Sequence, residues 1–454
     1  MPSVNLVLVG VVRSSTGRIR LIPEYVPRPP QNVNPPSRTP TLTGAGGGND
    51  TGEGGLMNRT IVKTREAHDF LALVPQLVGF LPEKSLVLVA FRGNRTCGAM
   101  RFNLPEPGAP EKVLKRIATT LVGTICKIPD VDALVPVVYS DETIAGIVGL
   151  PQERFVEVLC ARARLSGFLL RDALCVAPDG WGSYFDPGCP AAGYPLSAIA
   201  ASEVNRAIPD AVRRDLATLS SRADLPAVDP SMKERLGRRL ARYQRLGAGA
   251  DTVPELLELA GDILDPVVAA EAALGFDAQN LGVDDAAALL FLVQGPACRD
   301  QMMLQFAFGE TVGRNTHALN LRYAILQRAT GRSLDDIIGE EQSEGHHGPH
   351  SRATSDLLLG LCRERPDPDR IEQAIRLLKV LVALAPRKAR PAPLCMLAWL
   401  SWAMGRGSVA GIFVDQALAI DRHYGMAELL STVFGSGHLP DWAFAVPPDE
   451  TANA

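Results

Sequence analysis

Four side chains in the first half of the chain could do chemistry together: Asp141, Asp172, Trp181 and Ser183. Asp141 ends the run Val137-Val138-Tyr139-Ser140-Asp141, and Asp172 precedes Trp181-Gly182-Ser183-Tyr184. A carboxylate at a strand's end can face a ligand, and a Trp beside polar groups can wall a pocket. The apolar run Ala133 to Tyr139 reads as a buried strand, and ligands of open α/β sheets lie beyond the carboxyl ends of such strands, where Asp141 falls. Each residue also has a structural alternative. Ser140 or Asp141 can cap a following helix. Trp181 can cover the edge of a core with its N–H hydrogen-bonded. Alternation after the turn Pro178-Asp179-Gly180 puts Trp181, Ser183 and Phe185 on one face of a hairpin.

Other constellations carry less. Ser85, in Gly79-Phe80-Leu81-Pro82-Glu83-Lys84-Ser85, lacks the Gly-x-Ser-x-Gly elbow of a nucleophile and is read as satisfying backbone groups where a strand begins. No P-loop, G-x-G-x-x-G after a strand or H-E-x-x-H occurs. His346-His347-x-x-His350 lies in a polar Gly/Pro/Ser stretch that does not fix metal geometry, so neither a metal nor any other cofactor is expected. The eight cysteines include no C-x-x-C pair, and scattered thiols fit a reducing compartment. Lys233, Arg235, Arg238, Arg239, Arg242 and Arg245 make one basic helix face. Without a reader motif or interleaved aromatics it is read as a helix pairing with acidic neighbours, and nucleic acid is not expected as a partner.

The elements that would position these residues follow from periodicity. Arg65 to Val78 is helical, with Pro75 expected to kink or shorten it. Leu86 to Phe91 and Ala133 to Tyr139 are continuous apolar runs, as in strands buried on both faces, so Leu88 and Val137 are expected in adjacent strands. Gly98 to Leu104, Phe168 to Val176 and Trp181 to Phe185 read as further strands. Glu111 to Lys127 and Thr143 to Ser166 read as helices. The order makes residues 57–230 an α/β domain with a mixed sheet. Beyond Pro230 the strand signals stop. An all-α C-terminal region follows: helices over 231–340, a polar linker at 341–352, helical hairpins over 353–440 and a tail at 441–454. Leu397-Ala398, Ala410 and Ala417 give the last hairpin a tetratricopeptide-like spacing, but no second copy is clear.

A chain of 454 residues with a net charge of −4 gives no global reason to expect nucleic acid or an anionic membrane, and no stretch approaches a membrane span. Residues 1–56 are read as a disordered or non-native extension, because Pro and Gly dominate from 13 to 56. Either Met57 is the true start or the extension is a genuine tail. No basic n-region precedes the apolar run Val4 to Val12, so a signal peptide is not indicated and a cytoplasmic location is expected.

The run Gly79 to Val87 resembles the GFxPxxSLV signature of an actinobacterial family known only as domain of unknown function 4192. Val137 to Asp141, Arg171-Asp172, Trp181 to Tyr184, Gly193 to Leu196, Ser220 to Arg222, Pro296 to Asp300 and Pro393 to Leu430 resemble its further segments in order. Family members often carry several cysteines after the aromatic hairpin, where this chain keeps Cys189 alone. The resemblance implies no reaction. The expectation is an interaction or regulatory protein that meets a protein partner through its C-terminal helices. The alternative is a small-ligand binder or enzyme at the sheet's carboxyl edge that uses Asp141, Asp172, Trp181 and Ser183; convergence of these side chains in one closed pocket would favour it, and scattered positions would favour the interaction reading.

Overall fold

The computed structural model describes residues 4–7, 22–25, 61–64, 66–207, 219–247, 265–343 and 349–445. The α/β half contains β1 (Val4–Val7), β2 (Ile22–Tyr25), β3 (Ile61–Thr64), α1 (Ala67–Val78), β4 (Ser85–Arg92), β5 (Arg95–Asn103), α2 (Glu111–Ile125), β6 (Ala133–Tyr139), α3 (Glu153–Leu165), β7 (Leu169–Leu170), β8 (Leu174–Val176), β9 (Trp181–Ser183), α4 (Leu196–Ala200) and α5 (Glu203–Ala207). One sheet runs β3-β2-β5-β4-β6-β8-β9, with β1 also on β5 and β7 on β6. It is mixed: β4 is antiparallel to β5 and β6, β6 is parallel to β8, and β9 returns antiparallel. Within 1–56, read as unstructured, the described residues are the strands β1 and β2. β1 pairs with β5, and β2 joins β5 to β3. Met57 lies outside the described residues.

The alternation of β4 explains its unbroken apolar sequence. Leu86, Leu88 and Ala90 face a core closed by α2 and α3. Val87, Val89 and Phe91 face a second core closed by α1, with Val204 of α5 and, from α4, Leu196 and Ile199. A strand buried on both faces has no position for a polar residue until its end. Val87 pairs with Val137 and Leu88 with Pro136, so the two apolar runs are indeed neighbours. α1 continues through Pro75 rather than stopping there. It ends at Gly79, whose left-handed backbone (φ 76°) lets its N–H reach the Pro75 carbonyl.

The expected helix over 143–166 is only α3. Residues 141–152 form an irregular loop, because Gly146 and Gly149 take positive φ (91° and 84°) that a helix cannot use. The loop is pinned by buried Ile144 and Leu150, while Val148 at its tip is fully exposed. Phe168 to Val176 likewise splits into β7 and β8.

The helical half comprises α6 (Leu219–Arg222), α7 (Pro230–Gly247), α8 (Pro266–Leu274), α9 (Val283–Leu292), α10 (Pro296–Phe308), α11 (Glu310–Thr330), α12 (Leu334–Ser343), α13 (Pro349–Leu359), α14 (Pro368–Leu384), α15 (Pro391–Ala403), α16 (Gly407–Ile420) and α17 (Gly425–Gly435). Asp-Pro pairs start α8 and α14: the Asp265 and Asp367 carboxylates each accept two backbone N–H groups, and Pro occupies the first helical position. The expected polar break is narrower than 341–352, since α12 runs to Ser343 and α13 begins at Pro349. Residues 344–348, with His346 and His347, lie outside the described residues. One apolar cluster spans Leu236 of α7 to Trp442, so the helical segments on either side of that break share a core. Every residue of α15 is buried, as a helix at the centre of a bundle must be. Leu397, Ala398, Ala410 and Ala417 are all fully buried where α15 packs on α16. The stretch read as a tail also carries structure: Asp441–Ala443 is a single 3-10 turn with Trp442 buried.

Candidate functional site

The four sequence candidates do not converge. Asp141 lies at the carboxyl edge of β6, exposed, in an ion pair with exposed Lys84 at 2.5 Å that holds Lys84 more basic and Asp141 more acidic than usual. No helix follows for it to cap. Ser140 Oγ instead accepts the Glu142 N–H at 3.0 Å, closing a local turn. Asp172 sits two residues ahead of β8, whose Leu174 pairs with Val137, so it lies back toward the middle of the sheet. Its carboxylate accepts from Ser183 Oγ (2.6 Å) and the Ala173 N–H (2.8 Å), and Ser183 Oγ accepts the Phe185 N–H (3.1 Å). These bonds tie β9 to β8 and engage the Ser183 hydroxyl both as donor and as acceptor. Arg171 braces the β4–β5 turn through Gly93 and Asn94 and lies 4.8 Å from the centre of the Phe91 ring.

Trp181 belongs elsewhere. It is 7% exposed, packs on Tyr194 (4.8 Å between rings) and lies in the α1-side core. Three of the chain's four tryptophans donate their indole N–H: Trp399 to Leu358 O (2.8 Å), Trp402 to His438 O (3.2 Å) and Trp442 to Ala403 O (3.1 Å). Trp181 Nε1 is buried with no partner. An indole N–H can only donate and normally finds an acceptor when buried.

Register shows that this group is not alone. Ser85 pairs with Tyr139, Tyr139 with Val176 and Val176 with Trp181. These residues form one row across four strands at the carboxyl edge. By alternation all face α1, on the side where Val87, Val137 and Leu174 are buried. Asn103 extends the row on β5, opposite Ser85. Ser85 Oγ and Tyr139 Oη are both buried and both unpartnered. Burial pushes the Tyr139 phenol far above its ordinary pKa, so it stays a neutral donor. Three orphaned polar groups on one edge of one face are unusual, because buried polar groups are nearly always hydrogen-bonded. Ser85 therefore does not serve the backbone as its sequence position suggested.

The rim of this row is built by local conformation. Lys84 takes a left-handed φ of 43°, uncommon for a non-glycine residue, immediately before Ser85. Asp179, in the β8–β9 turn, accepts the Ile144 and Ala145 N–H groups at 2.9 Å each and so holds the 141–152 loop at the edge. These two bonds keep the Asp179 carboxyl below its usual pKa. Asp69 of α1 accepts from buried Ser202 Oγ (2.7 Å) and lies 3.6 Å from His68 Nε2, while His68 flanks the Trp181 ring at 6.2 Å. In this order Ser202 meets the carboxylate and not the imidazole, which is not the arrangement of a hydrolytic triad.

Elsewhere, the basic face of α7 is partly paired, Arg238 with Glu234 and Arg239 with Asp284, while Lys233, Arg235, Arg242 and Arg245 are exposed. None of the eight cysteines is in a disulfide, and no group of metal-ligating residues occurs among the described residues. No helix among the described residues is long and apolar enough to cross a membrane.

Sequence reasoning singled out Asp141, Asp172 and Ser183, which have partners, and passed over Tyr139. The signal was present in the pairing of two polar strand ends, Ser85 and Tyr139, but register cannot be read from one strand at a time. No curated protein and no solved structure matches the chain. Residues 68–334 and 315–441 match the family model of a domain of unknown function (DUF4192), together most of the chain, and the protein belongs to that family.

Proposed function

We propose that the protein binds a small polar molecule at the carboxyl edge of its sheet, in the layer between the strands and α1. The observation that supports this reading is the row of buried, unpartnered groups Ser85 Oγ, Tyr139 Oη and Trp181 Nε1. A ligand with matching acceptors satisfies them together, which accounts for polar groups that otherwise cost stability. Asp141 and Lys84 form the solvent side of this edge, and the loop with Ile147 and Val148 exposed is its neighbouring wall. Asp172 and Ser183 act as braces of β9. A cytoplasmic location agrees with eight cysteines that form no disulfide.

The test is Tyr139→Phe, which deletes one orphan and keeps the ring. In ligand-free protein its urea-melt stability should lie within about 1 kcal/mol of wild type or above it, because no bond is lost. Small molecules released from purified protein and identified by mass spectrometry should include one retained by wild type and lost from Tyr139→Phe and Trp181→Phe. A Tyr139→Phe protein that is clearly destabilised while no metabolite accompanies wild type would refute the reading.

A second reading, a protein partner on the C-terminal helices, has one observation in its favour. Leu358, Leu359, Trp402, Met426, Leu429 and Phe434 line an apolar cavity of about 70 Å³, with Leu429 half-exposed at its mouth. Its test is whether one captured protein is lost on Leu429→Glu.

A further inference from the structure

We propose that the ligand of this edge is an oxyanion-bearing organic molecule, anchored by the Arg101 guanidinium with the Ser85 and Tyr139 hydroxyls beside it. The proposal rests on the ligand-site reading above and adds the ligand's charge and the residue that receives it.

Arg101 lies on β5 opposite Val87, two residues before Asn103, so alternation points it to the same face as the orphaned row. It is 8% exposed. One of its donors, Nη1, goes to Asn103 Oδ1, and its Nε is buried without a partner. No carboxylate among the described residues faces it. Three other arginines of low exposure each meet a carboxylate. Arg299 meets Asp300 at 2.7 Å and Arg370 meets Glu271 at 2.6 Å, and Arg406 pairs with Glu372. A buried guanidinium without a counter-charge is costly to fold, and such costs concentrate where charge is used. Burial lowers its pKa only to about 10, so it remains charged at neutral pH.

The chemistry of the ligand follows from the donor set. Arg101 and the Trp181 indole can only donate, and Ser85, Tyr139 and the Asn103 amide each have a donor to offer. With Nη1 turned to Asn103, the guanidinium edge that carries the orphaned Nε is the one that grips two oxygens of a carboxylate or phosphate in parallel. An acceptor-rich anion is the complement of these groups, and a cation or a donor-rich ligand is not. The row also sets a length. Adjacent strands lie about 4.8 Å apart, so Arg101 on β5 and Trp181 on β9 are separated by four strand steps, roughly 19 Å of backbone. One inorganic ion cannot serve both ends, but an organic anion with its charged head at Arg101 and a neutral acceptor toward Trp181 can.

The experiment uses the full chain purified in chloride buffer. Thermal midpoints are followed as sodium phosphate or sodium acetate replaces sodium chloride at constant ionic strength, and released small molecules are identified in parallel. Wild type should show a saturable rise with one of the two anions, which tells a phosphate head from a carboxylate head, and should release an organic anion. Arg101→Met should lose both. Arg101→Lys keeps the charge but not the fork, and should bind about tenfold or more weakly. It carries the comparison if the Met variant does not fold. A neutral ligand that Arg101→Met retains and Tyr139→Phe loses would overturn the anion while leaving the ligand site standing. No released molecule and no saturable rise with either anion would overturn both.

Discussion

Asp179 and Asp141 are both exposed carboxylates beside the same loop, yet they differ in what depends on them. Asp141 meets one mobile-length side chain, Lys84, and an exposed pair of that kind contributes little. Asp179 accepts two backbone amides, Ile144 and Ala145, which have no other partner in an irregular loop. Its lowered pKa gives the sign of the pH dependence. A carboxyl more acidic folded than unfolded stabilises the fold above its unfolded pKa, about 3.9, and that contribution is lost as pH falls through the lower folded value. Asp179→Ala should therefore speed hydrogen exchange at the Ile144 and Ala145 amides at neutral pH, and acidification below about pH 4 should bring wild type toward the variant. Unchanged exchange in Asp179→Ala would show that buried Ile144 and Leu150 hold the loop without it.

At the scale of elements, the Gly79 to Ser85 connection sets how α1 lies over the orphaned row. Gly79 stops α1 in a left-handed conformation, and a Cβ there would meet Arg222 Nη2 of α6 at 3.7 Å, an ordinary contact. The penalty of Gly79→Ala is then conformational and not steric, and should be about 1–2 kcal/mol by urea melt. A larger loss would mean that α6 cannot yield. The sequence makes this turn legible because Gly and Pro punctuate it, and it makes β4 and β6 legible because strands buried on both faces leave no polar interruption. The loop at 141–152 is misread as helix because Ile144, Ile147, Val148 and Leu150 mimic helical spacing, while Asp179, which holds the Ile144 and Ala145 amides across the sheet edge, is distant in sequence. Arg101 is illegible for a related reason. A basic residue in a strand reads as solvent-facing, and its burial depends on α1 and on neighbours distant in sequence.

At the scale of the molecule, the last described residues form one of the contacts between the two halves, beside those of β1 with α16 and α17. The 3-10 turn Asp441–Ala443 places adjacent side chains in different cores. Trp442 enters the helical cluster, edge-on to Phe308 (5.6 Å) and Trp402 (5.8 Å). Leu439 and Ala443 join the α2–α3 side of the α/β core, and Lys127 of the loop after α2 lies 5.9 Å from the centre of the Phe444 ring. The Asp441 N–H donates to Gly360 O at 2.7 Å and fixes the turn against the end of α13. Such a segment couples the unfolding of both cores. Trp442→Ala should cost about 3–5 kcal/mol, as large aromatic truncations do, and should also loosen that coupling. Two buried thiols read the halves separately: Cys175 in the α/β core and Cys395 in the helical core, both pushed up to about 12 by burial and so unreactive until exposed. In wild type, both should become reactive to a thiol reagent over the same range of urea. In Trp442→Ala, Cys395 should react at lower urea than Cys175, because the helical core loses its ring while the sheet keeps both of its covering layers. Coincident reactivity in the variant at the wild-type midpoint would show that Trp442 does not couple the unfolding of the two halves.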